Sequence, residues 1–135
     1  MTRILFALLL SVTLCTCGDA QKTDATASVE AASESPYLDL SVEEFAEKIG
    51  QENTVLIDVR TPAEIANGKI EGALEMDYRS PDFAGQLQEL DPSKTYLVYC
   101  ASGGRSGNTC ALLAEGGFQN LYNLEGGYNA WKAKE

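Results

Sequence analysis

Beyond residue 36 the chain alternates short apolar runs with segments of helical periodicity. The apolar runs predict strands at residues 37–40, 54–59, 73–76, 95–99 and 120–123. Helical patterns lie between them, at residues 42–49, around 83–90 and from about 105 to 115. Strands that alternate with helices form parallel sheets whose two faces are both covered. The sequence therefore predicts an α/β fold, a single domain with a five-stranded, mainly parallel sheet and helices on both faces.

Two helix ends carry specific signals. Residues 41–44 read Ser-Val-Glu-Glu, which is the pattern of a capping box, and Val42, Phe45 and Ile49 would then share one helical face. Gly116 and Gly117 follow the last helical pattern before the fifth strand and predict its C-terminal cap.

The first residues have the composition of an export signal. Arg3 precedes the apolar run at residues 4–10, and small residues follow, which is the order found in secretory signal peptides. Residues 14–17 read Leu-Cys-Thr-Cys and resemble a bacterial lipobox, in which cleavage would leave Cys17 as a lipidated N-terminus. We therefore predict a lipoprotein-type signal peptide at residues 1–17 and an exported, lipid-anchored protein at the periplasmic or outer surface. The alternative is a freely secreted form cut after Ala20.

Residues 18–36 predict a flexible tether. They are rich in Ala, Ser, Thr, Asp and Glu, and Val29 is their one large aliphatic residue, so they cannot bury enough surface to fold. The remainder, residues 37–135, is the size of one domain. The chain carries 20 Asp and Glu against 10 Lys and Arg, a net charge of −10, which argues against a nucleic-acid partner.

The segment around Cys100 carries the strongest chemical signal. The apolar run at residues 96–99 delivers Cys100 into a loop containing Gly103 and Gly104, and a helix is predicted to begin near Arg105. Inward-turned amides, a helix N-terminus and an arginine all favour the thiolate form of a cysteine. The same groups would bind a small oxyanion or a persulfide.

Three separated segments resemble the rhodanese-like (sulfurtransferase) domain family. They are the loop CASGGRS at residues 100–106, the run LIDVRTPAEI at 56–65 continuing to GKIEGA at 68–73, and LEGGYNAW at 124–131. The resemblance covers about residues 37–135 and implies the same five-stranded architecture. It also implies a cysteine loop at the carboxyl end of a central strand, where open α/β sheets bind ligands.

The resemblance further implies a reaction and a set of site residues. Cys100 would attack a sulfane sulfur, such as that of thiosulfate, and carry it as a persulfide to cyanide, a thiol or a thioredoxin-like protein. Arg105 would hold the shape and charge of the loop. The backbone of the loop would stabilise the persulfide and contact the substrate; the residues concerned are Ala101, Ser102, Gly103, Gly104 and Ser106.

Asp58 and Arg60 are interpreted as supporting residues. In the family their counterparts commonly serve structure, with the arginine pairing with an acidic residue such as the one that matches Glu64. Cys110 should lie within the helix as a packed thiol, although a role as a resolving cysteine stays open. The resemblance implies no metal and no organic cofactor. The chain also contains no histidine, which argues against nearly all ordinary zinc sites. We also expect a monomer that meets a membrane only through the possible lipid anchor.

Two other functions stay open. Tyrosine phosphatases and related phosphatases place five residues between cysteine and arginine, whereas Cys100 and Arg105 enclose four. The tighter loop suits a sulfur atom better than a phosphoryl group, which makes a phosphatase or arsenate reductase the less favoured enzyme. A non-catalytic rhodanese-like module that binds sulfur or regulates is the second alternative.

Overall fold

A computed structural model describes residues 35–135 of the chain. The predicted signal peptide, Cys17 and all but the last two residues of the predicted tether lie outside the described residues. Within the described part, no helix combines the length and the apolar character that crossing a bilayer requires.

Five strands form one sheet in which all neighbouring strands are parallel. The strands are β1 (Leu38–Leu40), β2 (Thr54–Asp58), β3 (Leu74–Glu75), β4 (Thr95–Tyr99) and β5 (Asn120–Leu124). Their order across the sheet is β1-β5-β4-β2-β3, which places β4 at the centre. The five predicted strands are thus confirmed, and the sheet is wholly rather than mainly parallel.

Five helices connect and follow the strands. They are α1 (Val42–Lys48), α2 (Pro62–Ile65), α3 (Phe83–Gln88), α4 (Gly104–Glu115) and α5 (Gly127–Lys132). The predicted capping box of α1 is confirmed, because the Ser41 side chain accepts from the Glu44 amide and the Glu44 carboxylate accepts from the Ser41 amide. Gly116 caps α4, as predicted.

Helix α2 was missed because it is only four residues long. Its sequence signal is nevertheless present: Thr61 and Glu64 form a second capping box, with Pro62 at the first helical position. Two predicted elements are shorter by two residues in the structure. Strand β3 has two residues instead of four, and α3 ends at Gln88 instead of residue 90.

The hydrophobic core has two parts, one on each face of the sheet. Along β4, Tyr96 and Val98 pack into one part with side chains of α3 and α4, whereas Leu97 and Tyr99 pack into the other with side chains of α1 and α5. This alternation follows from the two-residue period of a strand. The predicted helices on both faces are therefore confirmed, and β4 is a fixed platform for the residue that follows it.

Candidate active site

Cys100 lies directly after β4, at the carboxyl edge of the sheet and at the start of the loop that leads into α4. The residue is 1% exposed. Ala101 is half-buried, whereas Ser102 and Gly104 are exposed. The sulfur thus sits at the base of a loop whose outer residues face solvent.

Hydrogen-bond donors converge on the Cys100 sulfur. The Gly103 amide donates to Sγ over 3.1 Å, and the Ser106 hydroxyl lies 3.4 Å from it. Burial alone would raise the pKa of Cys100, but these two bonds and further amides of the loop outweigh it and hold that pKa below its ordinary value. The predicted gathering of amides around the thiol is therefore present.

The loop takes this shape because Gly103 adopts a left-handed conformation. Its φ is +97°, and it precedes the first residue of α4 as the N-cap. A side chain would be strained there, and a Cβ would lie 3.3 Å from the Leu124 carbonyl oxygen. The turn aims the Gly103 amide back at the sulfur and starts the helix at Gly104, one residue before the predicted position.

The N-terminus of α5 holds the same loop from the opposite side. The Tyr128 amide donates to the Cys100 carbonyl over 2.7 Å, and the Asn129 amide donates to the Ala101 carbonyl over 3.0 Å. This contact is so close that a Cβ on Gly127 would lie 2.5 Å from the Cys100 carbonyl oxygen. Sequence reasoning used the Gly126-Gly127 pair only as part of the resemblance; its role in holding the cysteine loop was missed.

Arg105 points its guanidinium at Glu64. Its Nη1 and Nη2 donate to the two carboxylate oxygens over 2.9 and 2.6 Å. The Arg105 bonds, together with the Thr61 amide and hydroxyl, lower the pKa of Glu64 to about 2 against the cost of burial. Because this pKa falls below the ordinary 4.5, the pair stabilises the fold above pH 4.5 and that contribution is lost as the pH falls toward 2.

The predicted pairing of Arg60 with Glu64 is wrong. Arg60 instead pairs with Asp58, whose carboxylate accepts from Nε at 3.0 Å and from Nη2 at 2.6 Å. Both residues are almost fully buried, and the Arg60 guanidinium packs against the ring of Tyr128, 4.1 Å from its centroid. A buried carboxylate such as that of Asp58 is stable only when it is paired with a cation, and Arg60 is that cation. Glu64 is therefore free to pair with Arg105.

The interpretation of Asp58 and Arg60 as supporting residues is consistent with these contacts. Asp58 also accepts from the Arg60 amide, and Arg60 also donates to the Gly68 carbonyl over 2.8 Å. The pair therefore fixes the chain between β2 and β3, and it reaches α5 through Tyr128.

Cys110, in the middle of α4, is a free and fully buried thiol. Burial raises its pKa to about 12, with a smaller contribution from Asp39. This environment suits the packed thiol that was predicted.

Sequence reasoning also missed Asn123 of β5. This nearly buried side chain donates through Nδ2 to the Gly103 carbonyl over 3.2 Å and to Asp39 Oδ1 over 2.7 Å. An asparagine inside the strand, between Tyr122 and Leu124, was the available signal. Among residues 35–135, no three His, Cys, Asp or Glu side chains come together as a set of metal ligands.

Comparison with known proteins identifies the family. The model of the rhodanese-like domain matches residues 41–134, so the chain belongs to this family. A sulfurtransferase of Allochromatium vinosum is 39% identical over 80 residues, which span 59% of this chain and 73% of that protein. YtwF of Bacillus subtilis is 39% identical over 97 residues, or 71% of this chain and 91% of that protein.

The similar proteins also include a solved structure and an enzyme with a different name. The crystal structure of SSP1007 from Staphylococcus saprophyticus has a TM-score of 0.60 at 33% identity, covering 70% of this chain and 92% of that one. A tRNA uridine(34) hydroxylase of Chlamydia trachomatis is 38% identical over 101 residues, but this chain spans only 31% of it. The similarity to the hydroxylase is therefore to one part of a longer protein.

Proposed function

We propose that this protein is a sulfurtransferase that carries sulfane sulfur as a persulfide on Cys100. The observation that supports this most directly is the set of donors around the Cys100 sulfur, with the Gly103 amide at 3.1 Å and the Ser106 hydroxyl at 3.4 Å. Donors in these positions stabilise a thiolate before the reaction and an anionic persulfide after it.

In the first half-reaction the Cys100 thiolate attacks the outer sulfur of a donor such as thiosulfate. A sulfur–sulfur bond forms to Cys100, the donor's own sulfur–sulfur bond breaks, and sulfite leaves with the bonding electron pair. The negative charge remains on the terminal sulfur of the new persulfide. The amides of the loop are fixed in place beforehand by Gly103 and by α5, so little reorganisation is needed.

In the second half-reaction a nucleophile attacks the terminal sulfur and Cys100 leaves as the thiolate. Cyanide would yield thiocyanate, and a thiol or thioredoxin-like protein would yield its own persulfide. Two half-reactions that share one covalent intermediate produce ping-pong kinetics. The exposed Ser102 and Gly104 border the route by which both substrates would approach.

Phosphatase chemistry is less well supported. Four residues separate Cys100 from Arg105, and the two terminal nitrogens of Arg105 are both bonded to Glu64. A phosphoryl group would have to compete with that carboxylate for the guanidinium. A persulfide needs only the amides and the hydroxyl that already face the sulfur.

Intact-mass spectrometry of the full chain before and after thiosulfate tests the proposal. We expect a gain of about 32 Da that peptide mapping places on Cys100 and that cyanide or a thiol removes. Cys100→Ser should abolish the gain, whereas the matched variant Cys110→Ala should retain it. No gain on Cys100 from thiosulfate or from a small-molecule persulfide would overturn the proposal.

The predicted export is a separate proposal about the same protein. It is supported by the order of charged, apolar and small residues in positions 1–17. Palmitate labelling in a bacterial host should mark the chain and should fail with Cys17→Ala; a soluble, unlabelled product cut after Ala20 would favour the freely secreted form.

A further inference from the structure

The carbonyl group of Gly103 accepts from two N–H groups. The Gly107 amide donates over 2.9 Å and Asn123 Nδ2 over 3.2 Å, and the Ser106 hydroxyl, whose one hydrogen also has the Cys100 sulfur within reach, lies 3.1 Å away. Gly107 and Ser106 belong to α4 itself. Asn123 is the donor that comes from a different element, the neighbouring strand β5.

Asn123 is placed at a cost to stability. Its side chain is 5% exposed, and within residues 35–135 its Oδ1 is buried without a hydrogen-bond partner. An unpaired buried amide oxygen destabilises a fold. We therefore look to the Nδ2 group of the same side chain for the reason that an asparagine stands here. There Nδ2 uses its two hydrogens on the Gly103 carbonyl and on Asp39 Oδ1.

Asp39 fixes the direction of that amide. Asp39 and Asn123 lie directly opposite each other in the register of β1 and β5, and the bond between them is 2.7 Å long. Since the carboxylate accepts one hydrogen of Nδ2, the second is left aimed at the Gly103 carbonyl. The first strand of the domain is thereby connected to the cysteine loop.

We propose that Asn123, oriented by Asp39, is a positioning residue for the Cys100 nucleophile. Gly103 connects Asn123 to the sulfur, because its carbonyl accepts from Asn123 and its amide donates to Cys100 Sγ over 3.1 Å. Holding the carbonyl fixes the left-handed turn at Gly103, and the turn aims the amide at the sulfur. This role rests on the proposed use of Cys100 as the attacking thiolate.

Arg105 of α4 is the cation near the sulfur. Its guanidinium is bonded to Glu64 of α2, and the charge of Cys100 also acts on it. The groups that lower the pKa of Cys100 are the Ser106 hydroxyl and amides of the loop, so this pKa depends on the aim of those donors.

The test compares Asn123→Ala with Asn120→Ala, which changes the same residue type at the exposed start of the same strand. The pKa of Cys100 is measured in the full chain from the pH dependence of iodoacetamide labelling, and the rate of sulfur transfer is measured over the same pH range. We expect Asn123→Ala to raise that pKa by about half a unit, which lowers the thiolate fraction below the pKa about threefold.

Above the raised pKa the rates of variant and wild type should converge, because the thiolate is then fully formed in both. Asn120→Ala should change neither quantity. Asp39→Ala should shift the pKa in the same direction by less, since Asn123 remains but is no longer oriented. An unchanged pKa in Asn123→Ala, or a loss of activity equal at all pH values, would overturn the positioning role.

The labelling measurement is independent of sulfur transfer. If wild-type Cys100 accepts no sulfur yet its labelling pKa responds to Asn123→Ala, the proposed function fails while the positioning of the thiol stands.

Discussion

Cys100 and Cys110 are both buried, yet their pKa values are shifted in opposite directions. Cys100 is 1% exposed and Cys110 is fully buried, and both belong to the same part of the core. Burial acts on both in the same direction, yet the pKa of Cys110 is raised to about 12 whereas that of Cys100 is lowered. The difference is the donors: an amide and a hydroxyl face the Cys100 sulfur.

This comparison shows that burial alone does not decide the direction in which the pKa of a thiol shifts here. The loop after β4 replaces water with fixed dipoles, which favour the anion without needing to reorganise. The interior of α4 provides no such groups, because every amide of a helix interior is already bonded to its own helix.

The largest effect that we predict is a difference in alkylation rate between Cys100 and Cys110. At neutral pH a thiol with a pKa near 12 is ionised to only about one part in 10⁵, so Cys110 should label at least about 100-fold more slowly than Cys100. Peptide mapping of the full chain after timed iodoacetamide treatment measures both rates together. In denaturant the two cysteines should label equally, and equal rates in the folded chain would contradict the comparison.

A large effect is also expected from Gly127→Ala, which disturbs the environment of Cys100 from outside its loop. The added Cβ would lie 2.5–2.6 Å from backbone atoms of residues 100–102, and φ at this position is +59°. We expect sulfur transfer to fall at least about tenfold and stability to fall by about 1–3 kcal/mol.

Gly85→Ala is the matched control for that substitution. Gly85 lies inside α3, and a Cβ there meets no atom within 4 Å. The control should leave activity unchanged and should stabilise the fold by about 0.5–1 kcal/mol. Denaturant unfolding and the transfer assay check both variants, and a fully active Gly127→Ala would show that the contact with α5 does not shape the loop.

A smaller effect is expected from Ser106→Ala, which makes the environment of Cys100 more like that of Cys110. The variant removes the hydroxyl 3.4 Å from the sulfur but keeps the amides. The pKa of Cys100 should rise, so the rate of transfer below that pKa should fall about three- to tenfold and recover at higher pH. Ser93→Ala, at an exposed turn, should leave the pH–rate profile unchanged.

The fold was largely predictable because its signals are local. The strand that precedes Cys100 and the capping box at Ser41 can each be recognised within a few residues. Gly103 and Gly104 likewise indicated the loop, since a turn of this kind needs a backbone without a Cβ. Helix α2 escaped notice because four residues give no visible period.

The partners of the charged side chains could not be read in the same way. Asp58, Arg60, Glu64 and Arg105 allow more than one pairing. The choice depends on distances between separate segments, and the observed pair of Glu64 and Arg105 is 41 residues apart. Asn123 shows the same difficulty: its bond to Asp39 joins residues 84 positions apart. Strand order brings these residues together, and the pattern of a single sequence does not reveal strand order.

The arrangement of strands also sets when the reactive thiol can exist during synthesis. Within residues 35–135, strand β1 pairs only with β5, and the cysteine loop is held by amides of Tyr128 and Asn129, which come after Cys100 in the chain. A growing polypeptide that contains Cys100 but not yet α5 therefore lacks the contacts that shape the loop. The surroundings of the Cys100 sulfur are complete only after β5 and α5 have been made.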